Sequence, residues 1–190
     1  MQSIPPGATG ILSVDDFRRA TGLPGGDPSD ELYVGALLDA AVEVVETACN
    51  RPMGAREATF DVPAGLLCGG IWWFPVAPVQ AVTAVEGTAD HSAWVARPAG
   101  TWRLETPHDT PRIALAAAPA STALRVTATV GHQAGAVPRP MVQAAMLMAK
   151  EWFEAGISLE EAPQRRVFFG AARLMRQARY LRPAEWTPCL

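Results

Sequence analysis

Cysteine, histidine and lysine are scarce in this sequence, and each shortage excludes a class of chemistry. Cys49, Cys68 and Cys189 are odd in number and far apart, which supports neither a disulfide framework nor a zinc knuckle. His91, His108 and His132 lie beside turn residues and fall at no ligand spacing such as HxxxH. Lys150 stands alone against fifteen arginines, a compositional bias, so the choice of Arg over Lys carries no message and only clustering does. No apolar stretch reaches the length of a membrane span, because proline or glycine interrupts every candidate. The start, MQSIPPGATG, lacks the basic residues and apolar centre of a signal peptide, so a cytoplasmic origin is expected. Charged residues make up 18% and apolar residues 49% of the 190, a globular composition sufficient for one domain with a core, with or without appendages.

Catalytic patterns are missing as well. There is no GxGxxG or GxxxxGK[ST] loop to cradle phosphates. His108-Asp109 could pair as base and orienter, yet no serine or cysteine nucleophile stands in a recognisable context. Glu160 and Glu161 are adjacent and would diverge on a helix. The polar residues of GTADHSAW are accounted for by a hairpin turn. No enzyme activity, cofactor or metal is expected.

What the sequence does have is an ordered series of elements. ILSVDDFRRATGL reads as a short helix with Ser13 as cap, Asp15 and Asp16 in its first turn, and Gly22 and Pro24 as its stop. GGDPSDEL starts a longer helix over 29–49, with Asp27 as cap and Pro28 where its missing N–H costs nothing. Its apolar residues Val34, Leu37, Leu38, Ala41, Val45 and Ala48 follow helical spacing. From 55 to 131, runs rich in β-branched and aromatic residues alternate with punctuation: ATFDV, IWWF, VQAVTAVE, AWVAR, TWRLE, RIALA and LRVTATV. Connections this short predict mostly antiparallel strands. VPRPMVQAAMLMAKEWFEAG restores helix over 139–155, with a stripe of Val142, Ala145, Met146, Ala149, Trp152 and Phe153. The fold class expected is therefore α+β: a helical bundle with an inserted β region. Residues 1–163 form one domain with its β insertion at about 55–131, and 164–190 form a C-terminal helical arm.

Two features stay unspent in this scheme. In GIWWFPVAPVQAVTAVE, Trp72 and Phe74 point to one face of a strand and Trp73 to the other. Either the strand is buried on both sides within the monomer, or one face awaits a partner, and Trp73 is the first candidate for such an interface. The arm carries Arg165, Arg166, Arg173, Arg176, Arg179 and Arg182 and no acid between Gln164 and Pro183, with Phe168, Phe169, Tyr180 and Trp186 nearby. These residue types could neutralise phosphates and stack on bases. They are equally the types enriched at protein anchors, and the net charge of −3 with no nucleic-acid-binding motif favours protein docking.

Four stretches carry a resemblance: LSVDDFRRATGL; SDELYVGALLDAAVEVVETACNRPM; FPVAPVQAVTAVEG; and RVTATVGHQAGAVPRPMVQAAMLMAKEWFEAG. In order and spacing the chain resembles the head–tail connector (adaptor) family of tailed bacteriophages and phage-derived gene transfer agents over residues 11–156. The ending WFEAG departs from the family's common pattern, and RLMRQARYLRP is only loosely similar to its C-terminal ending. The resemblance implies a structural role without catalysis or cofactor: a twelve-fold ring beneath the portal that extends the DNA channel and joins capsid to stopper or tail. Implied partners are the portal protein, copies of the chain itself, a stopper or tail-completion protein, and DNA passing without sequence-specific contact, with no membrane. It places the chain in the host bacterial cytoplasm during assembly and in the particle thereafter. The arginines and aromatics of 164–190 would dock on the portal or on ring neighbours, so deleting that segment is expected to leave a folded monomer unable to assemble. A nucleic-acid-binding accessory protein using the Arg-rich segment remains the alternative.

Overall fold

A computed structural model describes residues 2–5, 10–22, 27–63, 65, 67, 70–117, 121–157 and 168–183. The fold is α+β, with its described residues in two compact units. One holds 2–5, 55–131 (where described) and 180–183; the other holds 10–54 and 132–179 (where described).

The helical unit begins with α1 (Val14–Thr21), where the Ser13 side chain accepts from the Asp15 and Asp16 amides and Gly22 takes the left-handed conformation that closes it. Helix α2 (Pro28–Cys49) opens on Asp27 and Pro28 and ends on Asn50, whose φ of 53° and backbone N–H complete a left-handed cap. Of the expected stripe, Val34, Leu37, Leu38, Ala41 and Val45 are almost fully enclosed, joined by Val42 and Cys49, while Ala48 is only partly buried. Helix α3 (Arg139–Glu154) buries Met141, Ala144 and Met148 in addition to Ala145, Ala149 and Trp152. Val142, Met146 and Phe153 are only partly buried, so the enclosed stripe lies one residue round from the expected one. Its cause is a second neighbour: α3 packs on α2 and also on α4 (Phe169–Ala178).

All seven expected strand runs are present in the β unit, with one addition at the N-terminus. The larger sheet is antiparallel in the order β1 (Gln2–Ser3), β2 (Arg56–Pro63), β8 (Ala123–Val130), β4 (Val79–Thr88), β5 (Val95–Ala96). Phe60, Val126 and Val85 align across three strands on its buried face, and Asp61, Arg125 and Glu86 on the other. The smaller sheet runs β3 (Ile71–Trp73), β7 (Arg112–Leu115), β6 (Trp102–Glu105), with Trp72, Ile113 and Leu104 in one row. Phe60, Trp72 and Phe74 pack with ring centroids 4.8–5.7 Å apart in one core. Trp72 and Phe74 are thus spent inside the subunit.

The C-terminal segment departs from the picture of an arm with few internal contacts. Ala171 (0% exposed) and Met175 (5%) lie in the helical core, and Phe168 packs against it. Gly170 lies under the Phe168 ring, where an added Cβ would sit 2.9 Å from a ring carbon. The bare backbone at 170 makes room for the Phe168 ring, and the small Ala171 and the longer Met175 pack into the core.

Candidate functional site

Because α4 turns Ala171 and Met175 into the core, the residues on the opposite side of the helix must face outward. Phe169 is 74% exposed, and Arg173, Arg176 and Gln177 are exposed beside it. At spacings of four, seven and eight they share one helical face, and they line a shallow depression of about 400 Å³. The Arg176 Nε donates to the Ala172 carbonyl at 3.4 Å, which holds the guanidinium stem along the helix. Arg179 is exposed just past the helix end. Its charge acts on the Cys49 thiol, but burial dominates there and pushes that thiol up to about 11, so Cys49 is a neutral core group.

Beyond α4 the expected docking residues divide. Tyr180 is enclosed, 3% exposed, and its hydroxyl donates to the Phe74 carbonyl at 3.0 Å. It is an internal anchor of the β unit, which removes it from the docking candidates. The Arg182 guanidinium lies 5.6 Å from the Trp72 ring centroid, a cation–π contact within the same unit. Leu181, between them, is 67% exposed. Arg165, Arg166 and Trp186 lie outside the described residues.

Trp73 is half-buried on β3, which is an edge strand of the smaller sheet. Sheet register sets Arg112 opposite it and Glu105 opposite Arg112. The Arg112 guanidinium covers the Trp73 ring at 5.0 Å, and Arg112 also pairs with Glu105 at 2.6 Å. Arg103 closes on Glu105 from its other side. Hydrogen bonds from Arg112 and then Arg103 hold the Glu105 carboxyl below the usual carboxylate range. Trp73 therefore presents a ring whose position is fixed by a charged neighbour, with part of its surface still open.

Sequence reasoning missed a second cluster of this type. On the outer face of the larger sheet, Arg125 is bound by Asp61 at 2.8 Å and lies 4.0 Å from the Trp94 ring centroid, while His91 meets that ring edge-on at 6.2 Å. The Arg125 hydrogen bond lowers the Asp61 pKa, and the same bond raises that of Arg125. The alternation of LRVTATV signalled that Arg125 faces outward; the partners come from β2 and a loop remote in sequence.

Among the described residues no three His, Cys, Asp or Glu side chains converge as a metal site. No helix of the described residues is long and apolar enough to cross a membrane. What the surface offers chemically is guanidinium, indole and phenyl groups on firm supports, suited to adhesion.

No family model matches this chain, and no curated protein matches it either. Solved structures do. It is similar to a chain in the neck of an empty gene transfer agent (GTA) particle computed with C6 symmetry: TM-score 0.76 and 23% identity, covering 97% of this chain and 98% of that one. A chain in the virion of a native GTA particle gives a TM-score of 0.74 at 22% identity, with the same coverage. A chain in the neck of a native GTA particle computed with C12 symmetry gives 0.72 at 23%, again covering 97% and 98%. The likeness runs the full length of both partners and is a likeness of fold.

Proposed function

We propose that this chain is a structural head–tail adaptor, which forms a ring beneath the portal, extends the DNA channel and joins the capsid to the stopper or tail. One observation carries the reading: both units and the C-terminal helix together match chains of GTA particles over 97% of this sequence. The neck structures were computed with cyclic symmetry, which supports a ring for this chain too. The independent sequence resemblance over 11–156 points to the same role. In a closed ring each subunit presents two different surfaces to its neighbours, so unspent aromatic and arginine faces are in keeping with it.

On this reading the chain is not an enzyme and uses no cofactor. Its partners are copies of itself, the portal protein, a stopper or tail-completion protein, and DNA in transit, and no membrane is involved. Assembly takes place in the cytoplasm of the producing bacterium and the chain then stays at the head–tail junction. The portal or neighbour docking set is Phe169, Arg173, Arg176 and Arg179, together with Arg165, Arg166, Phe168, Arg182 and Trp186, and Trp73 belongs to the ring interface.

The decisive test is a producing strain without this chain. Filled heads and free tails that fail to join are expected. Normal yields of joined particles would contradict the adaptor role. The nucleic-acid alternative predicts instead that the purified chain binds DNA with an affinity falling steeply with salt.

A further inference from the structure

The helical unit carries two exposed patches of opposite charge that one copy cannot bring together. The first is the α4 face already described, with Phe169 beside Arg173 and Arg176 over a shallow depression. Among the described residues neither arginine has an acidic partner. The second is the start of α2. Asp27, Pro28, Asp30, Glu31 and Leu32 are all exposed, and Leu32 is 78% exposed, so this first turn stands clear of the packing that encloses Val34 onward. Glu31 is engaged by Arg18 at 2.8 Å. That leaves Asp27, whose side chain makes no capping hydrogen bond, and Asp30 as charges without a partner among the described residues.

These patches are held at different levels of the unit. The Cys49 thiol meets the Met175 carbonyl at 3.5 Å, which fixes α4 against the last turn of α2. Cys49 is about 25 Å along the axis from Leu32, and Phe169 is about 9 Å from Met175, at 1.5 Å per residue. Even with α4 pointing straight back along α2, about 16 Å would separate them at 1.5 Å per residue. An apolar tip flanked by acids and an apolar depression flanked by arginines thus face outward from separate places on one body. That is the arrangement a heterologous contact requires: each copy donates one patch and receives the other.

We infer that the occupant of the α4 face is the first turn of α2 from a second copy of this chain, with Leu32 against Phe169 and with Asp27 and Asp30 against Arg173 and Arg176. This inference rests on the ring reading and specifies which surfaces close the ring. Charge steers the encounter and fixes its polarity, while the apolar pair supplies the desolvated centre.

The experiment uses full-length protein and two charge-reversed variants, Arg173→Glu/Arg176→Glu and Asp27→Arg/Asp30→Arg, each checked for an unchanged circular dichroism spectrum. Sedimentation is followed from low to high salt. Wild type is expected to self-associate at low salt, and either variant alone at least tenfold more weakly. An equimolar mixture regains association, because each variant's altered patch complements the other's. Leu32→Ser weakens wild-type association without altering its salt dependence. The inference is overturned if a variant associates like wild type, if the mixture fails to recover, or if wild type stays monomeric. Variants that still enter joined particles as rings would sink this contact and leave the adaptor role standing. Unchanged self-association of the Arg173→Glu/Arg176→Glu variant with lost salt-sensitive DNA binding would instead assign the α4 face to nucleic acid.

Discussion

Two residues six positions apart on α4 have opposite duties. Met175 is in the core, and truncating it to alanine removes buried methylene and sulfur contacts; a loss of about 2–5 kcal/mol in unfolding free energy is expected by urea denaturation. Phe169 is exposed, so Phe169→Ser should change stability by less than about 0.5 kcal/mol while weakening assembly. Equal stability losses at both positions would mean that α4 is not seated as described. Tyr180→Phe leaves the Phe74 carbonyl without its buried donor, a cost of about 1 kcal/mol read as a fall in Tm of a few degrees. Cys49 adds a pH signature. Its pKa is raised on folding, so its contribution to stability is whole below the unfolded thiol value and is lost as pH climbs toward about 11. Cys49→Ala should abolish that alkaline loss, seen as urea midpoints that stay level between pH 8 and 10.5.

At the scale of elements, the central strand β8 shows what sequence can and cannot convey. Its alternation of Leu124, Val126, Ala128 and Val130 with Arg125, Thr127 and Thr129 is a period-two pattern, and the structure buries the first set and half-exposes the second. Nothing local could reveal that Asp61 and Trp94 would close on Arg125, because register between strands far apart in sequence decides it. The same holds for Arg112 over Trp73. The edge strand β1 was illegible for a different reason: two residues carry no period, and their pairing is dictated by β2. Helix α4 was legible as a helix, but Ala171 and Met175 are its only fully buried residues, too few to form a stripe among arginines. The Asp61–Arg125 pair makes a prediction at this level. Asp61 has a lowered pKa when folded, so its stabilisation is present above the ordinary carboxylate value of about 4 and is lost as pH falls through the lower folded value. Asp61→Asn should flatten the acid limb of stability against pH between 5 and 2. An unchanged limb would show that the pair contributes nothing in solution.

The whole molecule joins a helical unit and a two-sheet β unit, and the last described residues leave the first to rejoin the second. This threading changes what truncation tests. Deleting 164–190 removes Ala171, Met175 and Tyr180 from their cores, so a marginal or unfolded product is expected by calorimetry, and its failure to assemble would say nothing about docking. Substitutions on the exposed face of α4 are the informative ones. For the adaptor account itself the most direct measurement is cryo-electron microscopy of the neck in purified particles that contain this chain. The account predicts a ring of copies directly below the portal, each copy traceable as both units with α4 at a subunit boundary. Particles whose portal passes straight to the next component, with this chain absent from the neck, would contradict it.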